Sequence, residues 1–401
     1  MSPLTPELVS RMLNNMAAHG PATRVGLIPT GGTRKWKFDR RPGDTAVNAD
    51  LSFDDHDVNE MLTQFMQTSP DVPIQVVAPG AGDYVCMYVD HGVGDAHLII
   101  EMFVALSQAA RYGDFVPPLP GSMTAPLLSC FWNATKSEPK GMWSDAVELV
   151  KSVTNRRRSG GSAPLDAPAK QPAGQRGTAT AVFVKSRMGY LDELRAYRAA
   201  TGQTATVTTY VIRSLYHAFR DAGVDLSDDV LVMMDLRRFL PPEQFSLANL
   251  SAPVVLSVTP DMSAEEVTLA ALPLVTSRKP LLRMMGRSLA ARLKGLPAAE
   301  DVVESHGVGP KRPLTLSISD VTKIPASGKM SWPPGLQPED INLAIALESP
   351  DPSYVNICMI TAPEDRAMHL TATFYDSRLD PEVVRAALKS ALEIPGSPRP
   401  Q

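Results

Sequence analysis

The chain has 401 residues, 44% hydrophobic and 20% charged, with a formal net charge of −4. That length predicts two domains or two lobes, and the near balance of 39 basic and 43 acidic groups gives no reason to expect nucleic acid as a partner. Three cysteines, Cys86, Cys130 and Cys358, are too few and too scattered for a disulfide framework or a zinc site, which points to a reducing compartment and no bound metal.

The N-terminus lacks a basic region followed by an apolar core, and no apolar stretch reaches transmembrane length, so a cytoplasmic protein is expected. Residues 45–53 read as a strand. Asp54 and Asp55 then cap a helix whose Val58, Met61, Leu62, Phe65 and Met66 form one apolar stripe. Residues 71–77 and 83–89 read as strands joined at Pro79-Gly80-Ala81-Gly82. The second strand runs into Asp90-His91-Gly92-Val93-Gly94-Asp95-Ala96-His97, and residues 98–106 continue as a buried helix. A Pro-rich crossing at 116–126 leads to a helix near 143–153. Residues 156–177 have linker composition, and their triplet Arg156-Arg157-Arg158 reads as solvated.

After the linker the plan restarts. Residues 178–184, 230–235, 252–258, 314–318, 341–347, 355–361 and 368–375 are strand-like, whereas 188–201, 206–222, 263–293 and 381–392 are helical. The alternation on both sides predicts an α/β chain with lobes at 1–155 and 178–401 around a linker at 156–177.

The chemistry centres on the motif. A histidine at a strand end, on a Gly-rich turn facing a helix start, is placed for proton transfer, because imidazole changes charge near neutral pH. From the residues alone, a structural histidine capping the turn is the plainer reading of His91, and Asp95 reads also as the N-cap of the following helix. Gly92 and Gly94 permit a tight turn and close substrate approach, and either can aim an N–H at an oxyanion. Asp90 is placed to orient His91 or to repel an anionic donor, and His97 reads as a surface or capping residue. Ser319, Asp320 and Asn249 are turn-type residues at strand ends. Residues 278–294 are basic and amphipathic; a solvated helix face is the plainer reading, and phosphates, an acidic protein or anionic lipid are the docking alternatives. Met233, Met234, Met284 and Met285 read as core, with the lining of a lipid-accepting tunnel as the alternative. No Walker-type loop or nucleophile elbow is present.

The order strand, His-x-x-x-Asp, helix, linker, second lobe resembles the chloramphenicol-acetyltransferase-like superfamily of condensation domains, polyketide-associated acyltransferases, and wax-ester and alcohol acyltransferases. Its His-His-x-x-x-Asp-Gly signature stands here as Asp90-His91-Gly92-Val93-Gly94-Asp95-Ala96, so Asp90 and Ala96 depart from the pattern. Met234-Asp235-Leu236-Arg237-Arg238 resembles the family's strand ending in Leu-Arg, and Leu316-Ser317-Ile318-Ser319-Asp320 its strand ending in Ser-Asn. The Asp-Phe-Gly-Trp-Gly signature is not visible.

The resemblance implies two similar lobes of mixed sheets and helices with an active-site channel between them. It implies transfer of an acyl group from a thioester to a hydroxyl or amine, with His91 as general base and no acyl-enzyme. Asp95 pairs with Arg237, or failing that Arg238, as scaffold with Gly92 and Gly94; Ser319 and Asn249 are the candidate substrate or oxyanion contacts. The donor is acyl-coenzyme A or a phosphopantetheinyl carrier protein, with no tightly bound cofactor. A monomer of secondary or lipid metabolism is expected, and peripheral membrane contact stays open. A stand-alone condensation enzyme and a lapsed, condensation-like binding module are the alternatives.

Overall fold

The computed structural model describes residues 4–30, 36–53, 57–68, 70–78, 84–112, 125–158, 177–293, 312–322, 324, 342–349, 351–361 and 366–395. The turn at Gly80, most of the Pro-rich crossing and linker residues 159–176 lie outside the described residues.

The C-terminal half is built on a mixed six-stranded sheet, in the order Ala179–Lys185, Met368–Tyr375, Tyr354–Thr361, Thr315–Asp320, Asp229–Asp235, Ser251–Ser257. Thr315–Asp320 is parallel to both of its neighbours, and the remaining pairs are antiparallel. Helices Val207–Asp221 and Pro381–Ala391 pack Leu215, Phe219, Val384 and Leu388 into one core with Leu316, Ile318 and Leu370. Both helices start with strong stop-start chemistry: a capping box between Thr206 and Thr209, and an Asp380 cap followed by proline.

The N-terminal half carries a three-stranded sheet, Val47–Asn48, Ile74–Val77 and Cys86–Val89, with Leu13 and Met16 of helix Pro6–Ala18 and Leu98 and Met102 of helix Ala96–Tyr112 packed against Val76. Helix Ala96–Tyr112 is a wedge between the halves. Leu98, Met102 and Leu106 belong to the N-terminal core, while Ile100 and Val104 pack with Val321, Leu343, Ile345 and Ile360 of the C-terminal half.

A second contact seals the edge of the large sheet. Strand Ala179–Lys185 is an edge strand, and an edge leaves alternate N–H groups unpaired. Helix Val58–Gln67 fills that need: Asn59 Oδ1 accepts from Phe183 N at 2.6 Å and Thr63 Oγ1 from Ala181 N at 3.2 Å. Residues four apart on a helix thus serve donors two apart on a strand.

Several elements differ from the sequence reading. Of 45–53 only Val47–Asn48 is strand, after the short helix Gly43–Ala46. Asp54 and Asp55 lie outside the described residues, and the cap of helix Val58–Gln67 is Asp57, accepting from Asn59 N at 2.8 Å. Helices Pro6–Ala18 and Pro126–Ser137 were not anticipated, and the Arg156-Arg157-Arg158 triplet ends helix Pro139–Arg158 rather than opening the linker. Residues 263–293 are two helices, Ala264–Thr276 and Lys279–Leu293. The first ends at a C-cap, Ser277, and just beyond it Asp145 Oδ2 accepts from Arg278 N at 2.7 Å. Residues 342–349 join no ladder. Their alternate N–H groups, at Leu343, Ile345 and Leu347, donate instead to the side chains of His369, Thr371 and Thr373 at 3.1–3.3 Å, a period-2 pattern that mimics a strand in sequence.

Candidate active site

The turn after strand Cys86–Val89 is built by its own polar groups. Asp90 N donates to Pro73 O at 2.8 Å, and Asp90 Oδ1 accepts from Gly92 N at 2.7 Å. The carboxylate of Asp90 therefore fixes the turn and is directed to the backbone, and Gly92 N–H is already used and is not open to an oxyanion. His91 projects from the tip, exposed, into a cavity. Its Nδ1 lies 3.0 Å from Gly94 O. Asn249 Nδ2 lies farther from the same nitrogen, at 3.4 Å. A carbonyl can only accept, so the shorter contact puts the proton of the neutral ring on Nδ1 and leaves Nε2 the lone pair that general-base chemistry needs.

Two residues from elsewhere hold this loop. Arg24 donates to Val93 O through Nε and to Gly92 O through Nη2 at 3.1 Å. Asn249 Nδ2 donates to His91 O at 3.1 Å, and its Oδ1 accepts from Ser251 N at 3.2 Å. Asn249 thus clamps the histidine's backbone instead of facing substrate with a free amide. Gly94 is needed for space: a Cβ there would meet Leu98 Cδ2 at 2.5 Å and Leu247 O at 2.9 Å. Neither Gly92 nor Gly94 has a positive φ, so their use is close approach rather than a left-handed turn.

Asp95 is 1% exposed. It takes a bidentate pair from Arg237, Nη1 and Nη2 each at 2.9 Å, and also accepts from Leu250 N at 3.0 Å, Ser251 Oγ at 3.1 Å and His97 N at 3.1 Å. The helix-cap and arginine-pair roles coexist in one carboxylate. Arg237 spends its other donors on Ser246 O, Ala248 O and Asp235 Oδ1. A buried ion pair holds only when its remaining hydrogen-bonding capacity is filled, and here it is. Arg238 points elsewhere, donating to Ser277 O at 2.8 Å and lying over the Phe239 ring.

The cavity occupies about 2240 Å³ between the two halves. Helix Val58–Gln67 supplies Met61 and Phe65, helix Ala96–Tyr112 supplies Phe103, and Met233 and Ile345 close the far side. His91, His97, Asp235 and Ser319 are among its polar lining. Met234 joins Met233 on the wall, while Met284 and Met285 pack in a separate core beside Leu281. Ser319 has no side-chain hydrogen bond among the described residues, whereas Asp320 is spent on Thr208 Oγ1 at 2.6 Å and Thr322 N at 3.0 Å. In the basic segment, Lys279 pairs with Glu148, which ties helix Lys279–Leu293 to helix Pro139–Arg158, and Arg278 just before it pairs with Glu138, the C-cap of helix Pro126–Ser137. All three cysteines are free and buried, and burial pushes each thiol up to about 12, far from the thiolate a nucleophile requires.

The site therefore joins an oriented imidazole, a fully satisfied Asp–Arg clasp and a large cavity with apolar walls. Arg24, Asp235 and Ser251 escaped the sequence reading as site residues. Asp235 and Ser251 sit two positions from Arg237 and Asn249, at the facing ends of paired strands, and that proximity was a usable signal. Arg24 reaches the loop across 68 residues of sequence, with no local mark.

No family model and no curated relative matches the sequence. Solved structures do match the fold. The first condensation domain of the calcium-dependent antibiotic synthetase, in complex with a substrate analogue, is 15% identical with a TM-score of 0.55, over 98% of this chain and 90% of that one. The nonribosomal peptide synthetase FmoA3, in its α-methyl-L-serine-AMP-bound form, gives a TM-score of 0.56 at 15% identity over 98% of this chain; the chain spans 40% of that longer protein. The SgcC5 protein of Streptomyces globisporus, in complex with (R)-(−)-1-(2-naphthyl)-1,2-ethanediol and sucrose, gives 0.52 at 15% identity, over 97% and 88% of the two chains. The chain shares the two-lobed fold of these condensation domains.

Proposed function

We propose that the protein transfers an acyl group from a thioester to a hydroxyl or amine acceptor in the inter-lobe cavity. The observation that carries this reading is the state of His91: Nδ1 is bound to the Gly94 carbonyl, and the ring reaches the cavity from an exposed turn. The free Nε2 takes the proton from the acceptor O–H or N–H as its heteroatom attacks the thioester carbonyl. The tetrahedral intermediate collapses, the C–S bond breaks, and the departing thiolate receives that proton from His91. No side-chain acyl intermediate is required, and the buried, protonated cysteines offer no nucleophile. Holding donor and acceptor together in the cavity supplies much of the rate.

In this scheme Asp95 and Arg237 keep the turn in place and do not touch the reacting atoms. Ser319, with its hydroxyl uncommitted on the cavity wall, is the donor available to the developing oxyanion. The donor is a coenzyme A or phosphopantetheinyl carrier-protein thioester, and nothing need be tightly bound beforehand. The fold likeness to condensation domains favours the carrier-tethered form as a second reading; transfer from carrier thioesters alone would select it.

The test is intact-mass screening of acyl thioesters against alcohol and amine acceptors, with His91→Ala as control. His91→Ala should lower turnover roughly 100- to 10,000-fold while leaving the circular dichroism spectrum and melting transition unchanged. Near-full turnover in that variant refutes the assignment.

A further inference from the structure

His97 also faces the cavity, with a geometry of its own. It sits at the second position of helix Ala96–Tyr112, 9% exposed, in a T-shaped contact with the Phe245 ring. Its Nε2 lies 3.0 Å from Asp235 Oδ2. Burial pushes the Asp235 carboxyl up, but the bonds from His97 and Arg237 outweigh this and hold it below its ordinary range. The carboxylate is therefore ionised at neutral pH and can only accept, so Nε2 must carry the proton. In the neutral ring that leaves the Nδ1 lone pair without a partner among the described residues, on a side chain that lines the cavity.

An imidazole whose far nitrogen is fixed by a carboxylate presents one acceptor in one orientation. His91 is tied through Nδ1 and offers Nε2; His97 is tied through Nε2 and offers Nδ1. The two rings come from opposite ends of one turn, and the anchor of each differs in kind. A backbone carbonyl holds the first, and a carboxylate from the other half of the chain holds the second.

The surrounding charge narrows what the second acceptor can meet. Of the charged side chains on the cavity wall, four are carboxylates (Asp95, Asp235, Asp320, Glu348) and two are guanidiniums (Arg237, Arg238). Arg237 is fully committed to protein acceptors, and Arg238 donates to Ser277 O. An anionic group at His97 would face this excess of negative charge unaided, whereas a neutral or cationic donor would not.

We propose that the His97–Asp235 pair is a second ligand-binding point of the cavity, at which His97 Nδ1 accepts a hydrogen bond from a hydroxyl or ammonium group of the acceptor substrate. His97 is then a specificity residue: it reads a polar group, while His91 handles the transferred proton. This rests on the cavity being an acceptor site, as the proposed function has it, but its test reads binding and needs no turnover. Absence of acyl transfer with every thioester would sink the reaction scheme and leave this result standing.

The experiment uses the full chain with 15N-labelled histidine and two probes, 1-hexanol and 1-hexylamine, followed by the imidazole 15N resonances. In the free protein His97 should show the tautomer with the proton on Nε2. Saturation with a probe should shift the His97 Nδ1 resonance in the direction of hydrogen-bond acceptance. In His97→Leu the dissociation constant should rise roughly tenfold, the size expected when one buried polar contact is lost, and His97→Gln, which keeps an acceptor, should recover part of it. The two probes separate the sources. A loss in Asp235→Asn confined to 1-hexylamine identifies an ammonium, and equal behaviour of both probes in that variant identifies a hydroxyl-type donor. A His97 Nδ1 resonance unmoved by both probes, or unchanged dissociation constants in His97→Leu, overturns the proposal.

Discussion

His91 and Asp95 lie four residues apart on one turn and occupy opposite surroundings. Asp95 is sealed, and five donors converge on its two oxygens: two from the arginine, the backbone amides of His97 and Leu250, and the Ser251 hydroxyl. His91 is exposed, anchored at one ring nitrogen and open at the other. The rigid end is what makes the free end useful. A side chain left open to substrate cannot also be held by packing, so its orientation has to come from its neighbours. Asp95, Arg24 and Asn249 supply that orientation by fixing backbone on either side of the ring.

The sealed end should be the more sensitive to mutation. Asp95→Ala leaves Arg237 as a buried charge without its partner, and Arg237→Ala does the converse to Asp95. Either should cost about 3–5 kcal/mol of unfolding free energy, measured by urea denaturation, and activity should fall with it. Replacing both with apolar residues should cost less than the sum of the two single changes. His91→Ala, in contrast, should leave the denaturation midpoint alone. If Asp95→Ala melted like the parent, the division of labour between the two ends of the turn would be broken.

Gly94 comes next, because it lies where the two ends meet. Its carbonyl anchors His91, and its missing Cβ lets Leu98 and the Leu247 carbonyl close over the turn. Gly94→Ala forces a shift against side chain and backbone together, an overpacking cost of about 1–3 kcal/mol. The displaced carbonyl should also loosen the His91 ring, so turnover should fall by more than the stability loss alone explains. Gly92→Ala meets side chains alone, Asp90 Oδ1 at 2.9 Å and the Trp36 ring at 3.4 Å, on an exposed turn, and should be milder in both measurements.

The sequence disclosed the exposed end of this turn better than the sealed one. Strand, glycine-bounded histidine and apolar helix are local features, and so is the alternation of the six-stranded sheet, whose strand Met368–Tyr375 matches its expected bounds. The Asp95–Arg237 pairing came only through the family resemblance, since 142 residues separate the two and no periodicity links them. Residues 341–347 misled for a physical reason: alternation reports a segment with two unlike faces, and a chain hydrogen-bonded to every second side chain of a strand has two unlike faces without being in the sheet. His97 misled in another way. Its helix-start position suggested a capping or surface residue, and only the approach of Asp235 from the other half turned it inward.

The smallest effect expected is at Asn249, on the open side. Its amide bonds the His91 carbonyl at 3.1 Å, its own carbonyl bonds Ser251 N, and it sits in a part-exposed position where water can replace either partner. Asn249→Ala should therefore cost about 1 kcal/mol or less in stability. If Asn249 clamps backbone, the acceptor's apparent Michaelis constant should stay near that of the parent while turnover drops several-fold, because the His91 ring spends less time correctly aimed. Asn249→Asp tests the same point from the other direction. It keeps the acceptor for Ser251 N, removes the donor to His91, and places a carboxylate beside the ring. Turnover in Asn249→Asp equal to that in Asn249→Ala would mean the lost donor accounts for the whole effect; a raised Michaelis constant in both would place Asn249 against substrate instead.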